Sequence, residues 1–528
     1  MNVAFDPWIP VVSPAGKQEF VSLCTAITEG NRFADLAVRP HERVALMRLF
    51  LSVSHAALKG PKNYSEWKKV PQLLPRAVEN YLGEWGSVFE LFHKVTPWLQ
   101  VSSLSKKESQ NSLESAAEDW TPLSKLNFSL ATGNNSTLFD HGGMAETRAF
   151  LMHDTIVSML TYQCFSPGGL ISQVFWNGDQ SGKSSKDAPC VTASMLHAFL
   201  RGKNLLETIH LNLPMFEDIH LHYGDGDLGR PVWELPPKSM TDLVPIENAT
   251  KTYIGRLVPM TRLIRLHSSR PLMLMGDGLV YPSYTDGFPQ EPTATIILKQ
   301  KGKEQERKIL SYSPSKGHWR QLSAVIIKRK AGGTGGPLSL QAIQDGHGCD
   351  LIIAAFARDQ ATIVDTAESL FHIPPLLQTE IGTTAYDAEV KAAEAIASRL
   401  GWAIDIYRGE IDCGWEGKIK MAGPSKGELK SKLHSPAFTH YWTQVEKNLR
   451  NLLLHIESIG TEAAIPTREA WRNMLFMSAC AAFRIVCGQE SPRQMRAFVK
   501  GWNKLAPQKL ELELEPESGS SEIKEEEE

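Results

Sequence analysis

The feature that most constrains this chain lies beyond Thr383. Residues 389–407, 436–459, 468–487 and 492–505 each repeat apolar side chains at the spacing of one helix face and end on a stop signal. Gly401 interrupts the first stripe. Amphipathic helices in succession gain most of their stability by burying their stripes against each other, and short connections make neighbours antiparallel. The expectation is a four-helix bundle over residues 381–508, with one longer loop at 414–432.

The preceding residues follow no single period. Residues 41–58 have strong helical periodicity and stop at Gly60-Pro61. A second helix is expected over 75–94, with Pro75 in its first turn, a third over 146–163 and a fourth over 192–201. Between about 211 and 364, Pro and Gly become frequent and short β-branched runs suggest strands at 293–298, 324–327 and 351–356. The fold class is therefore α+β: a large mixed domain over residues 1–380, the helical bundle over 381–508, and an acidic, disordered tail over 509–528.

Composition narrows the function classes. The 42% hydrophobic and 22% charged fractions are those of a globular protein, and no run is long and apolar enough to span a membrane. The first residues lack a basic start followed by an apolar run, and the seven cysteines form no C-x-x-C pair. A reducing cytoplasm is expected, with neither a disulfide framework nor a zinc ribbon. The net charge of −3 conceals an asymmetry: residues 511–528 hold nine Glu and one Lys, so the rest of the chain carries a net of +5. So mild an excess suits a protein that touches nucleic acid locally or as one subunit of an assembly.

Motifs for catalysis are weak. Residues 178–184 (GDQSGKS) fall one glycine short of a phosphate-binding loop, because Asn177 stands where glycine is needed, and no helix is expected to follow. Residues 224–229 match G-x-G-x-x-G, but Arg230-Pro231 follows at once and a turn is expected. His220 and His222 alternate as on one strand face near Asp225 and Asp227, which leaves a metal-dependent enzyme as an alternative, although three ligands in set geometry are not evident. The expectation is no catalytic residue, no metal and no cofactor.

Three segments suit recognition. Residues 133–141 (GNNSTLFDH) join Asn134, Asn135 and Asp140 to Leu138 and Phe139 in a loop, and Ser166-Pro167-Gly168-Gly169 forms a turn downstream. The loop reads either as a surface connection whose apolar residues fold back or as a polar reading element. Residues 351–357 and 361–364 read as two strands joined through Arg358-Asp359-Gln360. Gln360 at the tip is either a plain turn residue or an amide able to enter a groove or part a base step, with Arg358 near phosphate.

Together these segments resemble the large subunit (CasA family) of the type I-E CRISPR Cascade surveillance complex. The resemblance rests on residues 6–11 (DPWIPV), on Glu42-Arg43-Val44-Ala45-Leu46, on the 133–141 loop, on Pro167-Gly168-Gly169 and on Arg358-Asp359-Gln360-Ala361-Thr362. It implies a non-catalytic subunit that reads the protospacer-adjacent motif of double-stranded target DNA from the minor groove. The reading loop would carry Asn134, Asn135, Leu138, Phe139 and Asp140, the glycine turn Gly168 and Gly169, and the hairpin Arg358 with Gln360 as a wedge. Implied partners are the backbone, small and 5′-end-binding subunits that hold the guide RNA, and the helicase-nuclease recruited to the target. A basic finger would come from residues 255–303 without a residue being singled out. The paired cysteines of some relatives are missing here, so their zinc is not carried over. A scaffold that never touches DNA is the further alternative.

Overall fold

The structure is a computed structural model describing residues 1–106, 120–130, 150–190, 194–224, 226, 228–282, 291–301, 304–330, 333–343, 346–359, 362–413 and 428–506. The chain divides into two compact units, Met1–Thr379 and Glu380–Glu528. The first mixes helices with short antiparallel sheets and the second is helical, an α+β architecture.

In the first unit the helix Pro40–Leu58 runs through the core. Residues His41 and Arg43 to His55 are all buried, so it is enclosed on every side. Pro40 occupies its first turn, where an amide hydrogen would lack a partner, and the Glu42 carboxylate accepts the Arg39 N–H at 2.9 Å. Against it pack the helices Val70–Trp85, Met152–Phe165 and Tyr253–Leu257 and the strand Cys349–Asp359. That strand is the middle of a sheet ordered Thr362–Ile373, Cys349–Asp359, Met195–Arg201, both pairings antiparallel.

Several expectations need correction. Residues 192–201, read as helical, contain the strand Met195–Arg201 paired with Cys349–Asp359. Its first six residues (MLHAFL) are all buried, and a strand covered on both faces loses the alternation that would distinguish it from a helix. Residues 324–327, read as a strand, belong instead to a short helix, Leu322–Val325, and its exit. The second helix is Val70–Trp85: Pro71 takes the first-turn position and Pro75 lies inside. His220 and His222 sit on the helix Phe216–Tyr223 and not on a strand.

The helical unit contains Glu380–Cys413, Glu428–Lys447, Leu449–Ser458, Ala464–Val486 and Pro492–Leu505. The expected segment 436–459 is divided at Asn448, so the described helices number five where the sequence suggested four. Trp471, Leu475, Ala479 and Phe483 form a fully buried stripe at helical spacing. Gly401 does not break its helix. A side chain there would meet the Phe438 ring at 3.2 Å, so the glycine makes room for a neighbouring helix. The expected tail, residues 509–528, lies outside the described residues.

Candidate nucleic-acid interface

The glycine turn is built by what ends the helix before it. Met152–Phe165 stops at Ser166, whose N–H still bonds the Tyr162 carbonyl at 2.9 Å, and the chain then reverses through Pro167, Gly168 and Gly169. Gly169 and Leu170 pair with Ser185 and Ser184. A Cβ at Gly168 would lie 2.7 Å from the Ser185 carbonyl oxygen and 3.1 Å from the Asp187 nitrogen, so main chain packs where a side chain would stand. Arg262, 1% exposed, donates to the carbonyls of Pro167 at 3.0 Å and Lys186 at 2.7 Å and ties both sides of the turn together. Leu170, beside the turn, is 91% exposed.

The hairpin reaches the same place from elsewhere in the sequence. Strands Cys349–Asp359 and Thr362–Ile373 pair along their length, with a register shift between Ala357 and Arg358. Such an irregularity re-aims a strand end. Beneath it Phe356 packs 5.3 Å from the Phe165 ring, at the end of the helix leading into the glycine turn, and 5.9 Å from His197.

Arg358 is not a loose cation at a turn. It lies within the strand, its side chain 14% exposed, and forks the Asp187 carboxylate at 2.7 and 2.6 Å. Asp187 Oδ1 also accepts the Gly168 N–H at 2.6 Å. The Arg358 backbone is held too: its N–H donates to Ser194 Oγ at 2.7 Å, and the Ser194 hydroxyl reaches the Arg358 carbonyl at 3.3 Å. One carboxylate therefore joins the glycine turn to the hairpin end, and Arg358, the residue expected near phosphate, is one of its two partners.

Of the residues singled out in the sequence, Gly168, Gly169 and Arg358 are thus brought together. Asn134, Asn135, Leu138, Phe139, Asp140 and Gln360 lie outside the described residues. Asp187, Arg262 and Ser194 were missed. Asp187 is 171 residues from Arg358, and nothing local marks it as a partner. For the basic finger, Arg256 and Arg262 are buried and Arg265 donates to the Leu104 carbonyl at 3.1 Å, whereas Arg270 is exposed.

The other motifs resolve differently. Asn177 and Gly178 have φ of 53° and 89° and link strands Phe175–Trp176 and Asp179–Gln180, the backbone of a tight hairpin turn and not of a phosphate loop. Two residues apart on a helix, His220 and His222 point about 200° apart. Asp225 and Asp227 lie outside the described residues, among which no three His, Cys, Asp or Glu side chains converge as metal ligands would. Burial lowers the His222 pKa to about 4, with Arg329 adding to the effect, and this keeps its ring neutral near pH 7.

Comparison with known proteins decides the family. A sequence model described as CRISPR-associated protein Cse1 matches residues 2–482. The chain belongs to the CRISPR-associated Cse1 family. Among curated relatives, the CRISPR-associated protein CasA/Cse1 of Thermus thermophilus is 29% identical over 508 residues, covering 92% of this chain and 91% of the relative. Solved Cse1-family structures share the fold. The crystal structure of CasA from Thermus thermophilus has a TM-score of 0.72 at 22% identity, over 96% of this chain and 98% of that one. Cse1 from Acidimicrobium ferrooxidans has a TM-score of 0.73 at 19% identity, over 96% of each. A chain of a solved CRISPR RNA-guided surveillance complex has a TM-score of 0.69 at 18% identity, over 96% of this chain and 99% of that one. The Cse1 family is the CasA family that the opening, loop, turn and hairpin motifs resemble, and membership makes this chain a component of CRISPR interference.

Proposed function

We propose that this Cse1-family chain is the non-catalytic subunit of a guide-RNA surveillance complex that reads the protospacer-adjacent motif of target DNA and starts opening the duplex. It further helps recruit the helicase-nuclease that degrades the target. The observation that carries the reading is the junction at Asp187, which holds the glycine turn and the hairpin end in one place. At the turn Gly168 packs closely on the protein's own main chain, while Gly169 beside it lacks a side chain, so main-chain groups there can approach a groove floor closely. The minor groove separates little beyond A·T from G·C pairs, so tolerant motif reading is expected. Gln360, just past the described end of the strand, is placed in sequence to enter the adjacent base step, and Phe139 belongs to the reading loop. Parting that step costs a few kcal/mol, offset by guide–target pairing that extends from a seed. The modest charge of the chain fits, because other subunits of such a complex supply most of the backbone grip.

The test is target-duplex binding and opening by the assembled complex. Gln360→Ala and Phe139→Ala are each expected to weaken motif-dependent binding or opening about tenfold, the equivalent of one lost contact of ~1.4 kcal/mol, with assembly intact. Wild-type behaviour in both variants would favour a DNA-independent scaffold.

A further inference from the structure

We infer that Asp187 is a positioning residue that couples motif reading to strand separation, an inference that rests on the function proposed above. A carboxylate offers only acceptors, and this one is engaged from two directions. Its Oδ1 takes the Gly168 N–H at 2.6 Å and an Arg358 N–H at 2.6 Å, and its Oδ2 takes a second Arg358 N–H at 2.7 Å. Hydrogen bonds to an ionised carboxylate are short and strong, and the forked geometry with arginine fixes orientation as well as distance. Gly168 therefore cannot shift without moving the acceptor that orients Arg358, two residues before Gln360.

The surroundings leave few other ways to absorb such a shift. A Cβ added at Gly168 would stand 2.7 Å from the Ser185 carbonyl oxygen, so that face is already filled by main chain. Arg262, itself buried, grips the carbonyls of Pro167 and Lys186 on either side of the turn. At the hairpin, Ser194 bonds both the N–H and the carbonyl of Arg358. The Asp187 side chain is 35% exposed, so the link lies at the surface, where DNA contacting the turn can load it. A base edge seated against Gly168 and Gly169 then sets the position from which the hairpin tip enters the duplex. Without the carboxylate, the turn and the hairpin end at Arg358 each keep their own supports but no longer share a reference.

The test uses the assembled guide complex and two targets of one sequence: an intact duplex, and a duplex whose first base step beside the motif is already unpaired by mismatch. Opening is read from 2-aminopurine fluorescence at that step and binding from a filter or mobility assay. Asp187→Ala is expected to reduce opening of the intact duplex at least tenfold while binding to the pre-opened target stays within twofold of wild type. Asp187→Asn, which keeps an oxygen for the Gly168 N–H but loses the charge facing Arg358, is expected to lie between. The exchange Asp187→Arg with Arg358→Asp restores an ion pair but no acceptor for Gly168, and its opening is expected to remain impaired. Wild-type opening in Asp187→Ala would overturn the inference. Equal losses on both targets would also overturn it, because a merely structural support serves them alike. Recovery of opening in the exchange variant would show that the ion pair alone suffices and that the shared acceptor does not couple the two elements. Failure of the underlying reading is seen separately, as unchanged opening in Gln360→Ala.

Discussion

A buried carboxylate meets two cations in both units, but the settings differ. In the first unit Glu291, Arg48 and Arg256 are all 0% exposed: Glu291 pairs with Arg48 and lies 3.6 Å from Arg256. The arginines also donate inward, Arg48 to the carbonyls of Leu257 and Arg256, and Arg256 to those of Ala249 and Pro189. In the helical unit Glu389 is 1% exposed, but its partners Arg468 and Arg472, at 2.8 and 2.9 Å, are nearly half exposed. The first cluster replaces water altogether, so its members depend on one another. The second keeps its cations in water and uses them as a lid over one carboxylate. Charge in the mixed unit is thus part of the core, whereas in the helical unit it borders a core made by apolar stripes.

Acid should separate the two units most strongly. Burial lowers the pKa of His41 to about 3 with Arg39 adding to it, of His55 to about 4 against a raising bond to the Gly60 carbonyl, and of His197 to about 3 with Arg48 adding to it. An unfolded histidine takes its proton near 6.5, so between that value and the folded ones the unfolded chain binds more protons. The stability is complete above about 6.5 and is lost as pH falls below it. At ~1.4 kcal/mol per pH unit for each ring, lowering the pH from 7 to 5 should cost the first unit roughly 4–6 kcal/mol through these three rings. Hydrogen exchange in Pro40–Leu58 would show it, and equal losses of protection in Glu380–Cys413 would break the contrast.

Next in size is Glu291→Ala, which leaves Arg48 and Arg256 buried without their carboxylate. A loss of about 3–5 kcal/mol is expected in denaturant unfolding of the first unit. A change under about 1 kcal/mol would mean that the carbonyls alone satisfy the arginines.

Smallest is Glu389→Gln, with an expected loss of about 1–2 kcal/mol because its cations can turn to water. Burial pushes the Glu389 carboxyl upward, but hydrogen bonds and charges from Arg472 and Arg468 outweigh it and hold the pKa below the usual 4.5. This contribution is present above about 4.5 and is lost as pH falls further, through the folded value. The variant should therefore match wild type in acid and differ near neutrality, as hydrogen exchange in Ala464–Val486 would report.

How much was legible follows the range of the interactions. The helices Pro40–Leu58 and Pro492–Leu505 are written in neighbouring residues: a proline in the first turn, a capping side chain and an apolar period. The strand Met195–Arg201 was not, because a segment buried on both faces shows no alternation. At the candidate interface, the glycine turn and the hairpin were visible as separate local patterns. Their junction was not, since it depends on an aspartate 19 residues from Gly168 and 171 from Arg358.

By itself the sequence determined the α+β class, the helical character of the second unit and, through the order of its motifs, the CasA resemblance. Periodicity and turn chemistry act within a few residues, so they can be read without coordinates. The tertiary structure alone decided that Arg358 serves Asp187, that Arg262 lies inside the turn it supports, and that Gly401 admits a neighbouring ring. Each of those depends on which distant side chain the folded backbone brings within a few ångströms, and no local pattern encodes that.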